Sequence, residues 1–318
     1  MHQFLNDVPC GENFEGFYLC KSYAVQKKAD GKEYFRVDVA DKSGQIHGVC
    51  WEDPGRFDVS HKSIGTIVHL KGTMGEYRDV PQIRVFAIRQ ATDADKNDYD
   101  AGDIVEAAPI DEEEAKQQMC QMLDSIADDE YRLVAKTVYT AIEAKFTTIP
   151  AGKTVHHSFR GGLLMHTWNM MKLACSVAEI YGSFIDRSLL LCATFLHDIA
   201  KIQEFDLSDL GLVQDYSTQG QLLGHLYMGA VEVQKICEKL NVATEKSLLL
   251  QHMILSHHGE PEKGAVVQPK CAEAEALHLI DLMDSRLEIY AEEYEQLTPG
   301  QFTPKKNWAL DHRVFRNI

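Results

Sequence analysis

The spacing of the apolar residues changes once along this 318-residue chain, near residue 112, from a strand period to a helix period, which suits two successive domains. From Phe14 to Thr92 the chain reads in short alternating runs rich in β-branched and aromatic residues: FEGFYLCKSYAVQ, EYFRVDVAD, GQIHGVCWE, TIVHLKGTM and QIRVFAIRQ. A period of two marks a strand with one buried face. Asp30-Gly31 and Ser43-Gly44 separate the first three runs, where hairpin turns need a residue that accepts positive φ. From residue 112 onward apolar residues recur at three- and four-residue steps. They predict helices over 112–127, 130–146, 161–181, 187–200, 222–240, 244–257 and 272–296, with a small hairpin around Leu210 to Tyr216.

Five strands of these lengths predict a small barrel, with the OB-fold as the leading architecture, and the rest predicts an all-α bundle. The expected organisation is multidomain: an all-β OB barrel over 1–92, an acidic linker over 93–114 and a helical domain over 115–318. Charge supports this division. The net charge of −16 argues against a basic nucleic-acid glove, but it is unevenly spread. Residues 1–92 hold 12 basic and 12 acidic side chains, whereas 93–114 hold 1 and 10. That acidic run has few aliphatic residues, so it reads as a linker ending at a helix N-terminus, where Asp111 to Glu114 complement the dipole. The start of the chain shows no signal-peptide pattern, and the longest apolar stretch, near Leu189 to Leu196, is far too short to span a membrane. Eight scattered cysteines without a CxxC pair predict free thiols in a reducing cytoplasm.

Gly31-Lys32-Glu33-Tyr34 leading into a strand, followed by Val39 to Gly44 and Val49-Cys50-Trp51, resembles the OB domains that accompany tRNA synthetases and nucleases. The resemblance implies single strands lying across the middle strands, with bases on aromatic rings and phosphates on basic side chains. Tyr34, Phe35, Arg36, Trp51, Tyr77 and Arg78 are candidates by position; for Phe35 and Trp51 the competing role is barrel core. A neutral barrel implies weak, assisting binding.

In the helical part, nine of the chain's 14 histidines fall between 156 and 278, in glycine-punctuated segments that also carry carboxylates: HHSFRGGLLMHTW, FLHDIAKIQEF, GQLLGHLYMG, LSHHGEPEKG and ALHLIDLMDS. One histidine on an apolar helix is usually a satisfied core residue; several arriving with carboxylates suggest metal ligands. Consecutive helix residues point about 100° apart, so His197 and Asp198 can share one ion only near a helix end or between helices. The gaps between His166, His197-Asp198, His225, His257 and Asp281 are each about one helix plus a loop, which suits one ligand per helix in a bundle core.

The order His166, His197-Asp198, His225, His257, Asp281 resembles the H…HD…H…H…D pattern of HD-domain metal-dependent phosphohydrolases. The surrounding segments, Gly161 to Thr167, HDIAKIQEF, LLGHLYMG, ILSHHGEPEKG and EALHLIDLMD, are similar to those of the YhaM-type 3′-to-5′ exoribonucleases, which also carry an N-terminal OB domain. The similarity runs from about residue 14 to 296 and places the catalytic core at about 156–296. It implies that His166, His197, Asp198 and Asp281 hold one divalent ion, and that Asp198 bridges to a second completed by His225 and His257. His258 is an alternative or additional ligand to His257, and Asp284 an alternative to Asp281. Such a donor set suits Mn²⁺ foremost, with Mg²⁺ or Fe²⁺ as alternatives. Ala200 stands where the family has glycine, and Met165 where a glutamate is common, so no ligand or base role falls on position 165.

Two ions about 3.5–4 Å apart can activate a water and clamp a phosphodiester. Lys201, one turn after His197, is placed to meet the scissile phosphate, and Asp198 and Lys201 are the expected catalytic pair. His157 and Arg160 are candidates for phosphate or 3′-end contacts, as is His258. The expected activity is 3′-to-5′ hydrolysis of single-stranded RNA to nucleoside 5′-monophosphates, with single-stranded DNA and self-association left open. Two rival readings are an HD-domain nucleotide or cyclic-nucleotide phosphohydrolase and a non-catalytic RNA-binding protein with a structural metal.

Overall fold

The computed structural model describes residues 2–28, 30–52, 54, 57–78, 80–105, 107–152, 159–208 and 210–318. The chain forms two compact units, Met1–Ala107 with Leu207–Gln214, and Ala108–Asp206 with Asp215–Ile318.

In the first unit, strands β1 (Asn13–Lys27), β2 (Glu33–Asp41), β3 (Gly44–Cys50), β4 (Ile67–Tyr77) and β5 (Val80–Gln90) close into a barrel of order β1-β2-β3-β5-β4. The β3–β5 pair is parallel and the other pairs are antiparallel. This is the OB-type barrel expected from the five runs. Alternation decides which side chains face inward: Phe35, Val37 and Val39 are fully buried, while Arg36 between them is exposed. Phe35 is therefore barrel core and not a stacking platform. At Gly72 a Cβ would lie 2.7 Å from Ile83 Cγ2 and 2.9 Å from the Arg84 carbonyl oxygen, so glycine is what lets β4 approach β5 there.

The acidic run departs from the linker expectation. Asp95 accepts two hydrogen bonds from the Arg89 guanidinium, each 2.7 Å, and one from the Thr92 amide. Tyr99 packs on Phe17, with ring centroids 4.9 Å apart. Ile104 and Val105, beside the short helix α1 (Ala101–Ile104), are buried in a cluster with Leu19, Ile67 and Leu212. Three apolar side chains and one neutralised carboxylate are enough to fix 93–105 because the barrel already supplies the surface they cover. Leu210 and Leu212 join the same cluster, so residues 207–214, expected within the helical domain, group with the barrel.

The second unit contains α2 (Glu112–Asp124), α3 (Asp129–Phe146), α4 (Gly162–Tyr181), α5 (Arg187–Leu196), α6 (Lys201–Glu204), α7 (Thr218–Leu240), α8 (Thr244–Ser256) and α9 (Ala272–Gln296), while the short strands β6 (Phe205–Leu207) and β7 (Val213–Tyr216) include the points along the chain where one unit gives way to the other. Asp111 caps α2 by accepting from the Glu114 amide, as the acidic helix start predicted. Every residue of α5 from Ser188 to Leu196 is buried, and the helix packs against α3, α4, α8 and α9. A helix apolar all round belongs at the centre of a bundle. It ends at Leu196, so His197 and Asp198 sit at its C-terminus, among the surrounding helices. Among the described residues no helix is long and apolar enough to cross a membrane.

Candidate metal centre

Each expected ligand in the helical unit sits where a helix begins, ends or bends, except Asp281, which projects from within α9. His166 lies in the first turns of α4, His197 and Asp198 follow α5, and His257 and His258 follow α8. His225 follows Gly224, whose φ of 69° and ψ of 158° break α7 internally. That backbone conformation is costly for any residue with a Cβ, so the glycine sets the direction of His225.

Four of the imidazoles share one arrangement, with Nδ1 tied back and Nε2 turned inward. His166 Nδ1 donates to Asp284 Oδ2 at 2.7 Å and His197 Nδ1 to the Thr194 carbonyl at 2.7 Å. His257 Nδ1 donates to the Ile254 carbonyl at 2.7 Å and His225 Nδ1 to Glu204 Oε1 at 2.9 Å. At His197, His225 and His257 such partners select the tautomer whose Nε2 is the acceptor, the form that binds an ion. Asp198 lies among these nitrogens. Its Oδ2 is 3.3 Å from His197 Nε2 and 3.9 Å from His166 Nε2, while its Oδ1 is 3.5 Å from His225 Nε2 and 3.8 Å from His257 Nε2. The two oxygens of one carboxylate thus address two groups of ligands, His166 and His197 on one side and His225, His257 and His258 on the other.

Asp198 Oδ1, His225 Nε2, His257 Nε2 and His258 Nδ1 are buried without a hydrogen-bond partner. An unsatisfied buried polar group costs about 1–3 kcal/mol, so four converging ones are the mark of a cation site. The donors are imidazole nitrogens and carboxylate oxygens with no thiolate, which fits a divalent first-row ion. Asp281 Oδ1 lies 3.4 Å from His166 Nε2, inside the first group, whereas Asp284 is on the opposite edge of that ring as its orienting partner.

The electrostatics fit ligand duty. Burial alone would raise the Asp198 pKa, but the Lys201 ammonium and His197 hold the carboxyl well below its ordinary range. Burial also keeps His257 neutral by pushing its pKa well below 6.5. At His166 burial works downward, but Asp281 and Asp284 outweigh it and push the pKa up to about 9. In the metal-free protein this ring therefore carries a proton at pH 7 that an ion must displace. The folded value exceeds the ordinary 6.5, so the stabilisation is fully present below about pH 6.5 and lost as pH rises through about 9. Metal loading at pH 7 should release about one proton from this site, read as a calorimetric enthalpy that varies with the ionisation enthalpy of the buffer. A buffer-independent enthalpy would contradict this protonation state.

Lys201 Nζ is 2.6 Å from Asp198 Oδ2. Both line an open cleft of ≈ 200 Å³ with His258, Asp281, Lys263, His278, Leu282 and Ser285. Glu204, Lys263 and His278 were not anticipated. Glu204 also accepts from the His225 amide at 2.9 Å, and its only sequence signal is its place within HDIAKIQEF. Glu204→Gln should keep the fold and weaken the ion held by His225 by about 10–100-fold, measured by Mn²⁺ titration. Unchanged affinity would show that Glu204 does not orient the ring. Arg160 is exposed just before α4, and its carbonyl accepts from the Ala108 amide at 2.8 Å; His157 lies outside the described residues. Ala200, the departure from glycine, faces Gly229, where a Cβ would stand 3.6 Å from the Ala200 methyl.

On the barrel, Trp51 is 52% exposed and stacks on Tyr34, with centroids 4.8 Å apart and planes at 23°. Trp51 is thus not core. Lys28 Nζ stands 5.3 Å from the Trp51 ring. Arg36 pairs in register with Val49, and Val49 with Arg84, so the two arginines occupy one row across β2, β3 and β5. Phe86 is exposed two residues along, with the Arg84 guanidinium 5.8 Å from its ring. Tyr77 is exposed beside Arg78, whose guanidinium lies 5.2 Å from the ring. Arg84 and Phe86 were missed because the parallel β3–β5 pairing that brings β5 to this face is non-local, and Lys28, just after β1, because its approach to Trp51 shows only once the strands are paired.

The HD domain family matches residues 163–286. The chain is 34% identical over 318 residues to the 3'-5' exoribonuclease YhaM of Listeria monocytogenes serotype 4b (strain CLIP80459), covering 100% of this chain and 99% of the relative. It is 32% identical over 306 residues to the protein of the same description from Bacillus subtilis (strain 168), covering 96% and 95%. Among solved structures, the second OB-fold domain of replication protein A from Methanococcus maripaludis aligns at 17% identity and a TM-score of 0.23, covering 28% of this chain and 94% of that one.

Proposed function

The chain belongs to the 3'-5' exoribonuclease YhaM family, and from that premise we propose how its residues carry out the reaction. It is a metal-dependent 3'-5' exoribonuclease with an OB-fold barrel and an HD domain. The preferred substrate is single-stranded RNA and the products are nucleoside 5′-monophosphates. Two divalent ions serve the site, Mn²⁺ foremost: one held by His166, His197, Asp198 and Asp281, the other by Asp198, His225 and His257 with His258 beside them. When bound, such ions supply an activated water near neutral pH and neutralise charge on the phosphodiester.

The chain's own groups do the rest. The four tied-back imidazoles keep their Nε2 atoms aimed inward without reorganisation during turnover. Lys201 presents a fixed ammonium on the cleft wall, where charge builds on the phosphate as the ester bond breaks. Lys263 and His278 face the same cleft and are placed to meet the terminal nucleotide. The exposed Tyr34–Trp51 stack, with Arg36 and Arg84 in the adjacent row, supplies a face that grips upstream nucleotides by stacking and phosphate contact.

The observation that carries this reading is the set of buried, unpartnered nitrogen and oxygen atoms around Asp198. A 5′-labelled RNA of about 20 nucleotides with Mn²⁺ should give a ladder shortened stepwise from the 3′ end, abolished by EDTA, with a DNA strand run in parallel. Internal cuts, or phosphate release from nucleoside triphosphates without action on the oligonucleotide, would overturn it.

A further inference from the structure

The segment after α9 runs against the charge of the chain. Residues 298–318 carry four basic side chains and one acidic, whereas the whole chain has a net charge of −16. The segment is folded: Leu297, Leu310 and Val314 are buried with Ile289 in a small core of their own, flanked by Tyr290 and Tyr294. The Arg316 guanidinium donates to the Tyr294 and Leu297 carbonyls at 2.5 and 2.6 Å, tying the segment to the end of α9. Arg313 Nε donates to the Thr303 carbonyl at 2.6 Å, and a bridge pairs Phe302 with Phe315.

On this fixed frame the large rings point outward. Trp308 is 77% exposed, Phe302 53% and Phe315 40%. The two phenyl rings stand 4.8 Å apart, with the Arg313 guanidinium 5.2 Å from Phe302. Lys305 and Lys306 are exposed within the same short stretch, Lys306 in a solvent-exposed ion pair with Asp311 at 3.2 Å that a phosphate would compete for. Folding does not account for three rings held in water when apolar residues a few positions away are buried. Fixed aromatic faces interleaved with cations are what a single-stranded nucleic acid uses, because every base offers a π-face and every nucleotide a phosphate.

We propose that segment 298–318 is an RNA-contact surface on the helical unit, in which Trp308 and the Phe302–Phe315 pair stack on bases while Lys305, Lys306 and Arg313 meet phosphates. This rests on the exoribonuclease reading, which makes RNA the polyanion the protein handles. The test is fluorescence anisotropy of a 5′-fluorescein RNA of about 20 nucleotides with full-length protein in EDTA across a salt series, with light scattering of each variant. Trp308→Ala should weaken binding about tenfold. Lys305→Glu combined with Lys306→Glu should lower the slope of log K against log salt by roughly one to two. Both changes lie outside the small core, so circular dichroism should stay that of the wild type. Variants that bind as the wild type does would overturn the proposal. So would a changed oligomeric state with RNA affinity intact, which would make the surface a contact between copies. A wild-type protein that binds this RNA but never shortens it with Mn²⁺ would instead sink the nuclease reading.

Discussion

Asp198→Asn is expected to abolish RNA hydrolysis, by at least about 10³-fold in kcat, and to empty both ion sites. The change keeps the side chain's shape but removes its charge and one of its two acceptor oxygens. Because Oδ1 and Oδ2 face different histidine groups, no other ligand can stand in for it. A change at His225 or His166, by contrast, strips ligands from one side only. The substitution also leaves the half-buried Lys201 ammonium without its charged partner at 2.6 Å, which lowers stability. A lower melting temperature should therefore accompany the lost metal. Elemental analysis of the purified variant reads the metal, and the ladder assay reads the activity. A variant that retains two ions per chain would contradict the bridging role.

Lys201→Met should lower kcat by about 10²–10³-fold while leaving metal binding intact or tighter. In the metal-free protein the ammonium lies against Asp198 Oδ2, where it competes with a cation for the same oxygen. Removing it frees the carboxylate for the ion and takes from the cleft a positive charge that would meet the phosphate. The two effects separate catalysis from ligand support: falling kcat with unchanged metal affinity marks Lys201 as a group that meets the substrate. Unchanged kcat with altered metal affinity would reduce it to a counter-ion of Asp198.

Helices and strands were legible because their spacing and caps agree locally. Asp111, Asp128, Asp186 and Ser217 each accept from an amide in the turn they precede. The clustered histidines were legible as a set because they arrive on successive helices, in segments broken by glycine. What the spacing could not supply is which atom turns where. His257 and His258 are neighbours in sequence and remain equivalent until the Ile254 carbonyl is seen to hold the first ring. Asp281 and Asp284 share one face of α9, and only the hydrogen bond from His166 Nδ1 shows which of them holds that ring. Glu204 carries no spacing signal, since its role depends on α6 lying beside the break at Gly224. The same holds for 93–105, whose composition reads as solvated while Ile104 and Val105 find a ready surface on the barrel.

On this reading one carboxylate, that of Asp198, serves two ions. This is tested most directly by anomalous scattering at the manganese edge from crystals of the protein grown with Mn²⁺. Two peaks are expected beside Asp198, one against His166, His197 and Asp281 and the other against His225, His257 and His258. A single peak, or two peaks that do not share Asp198, would contradict it.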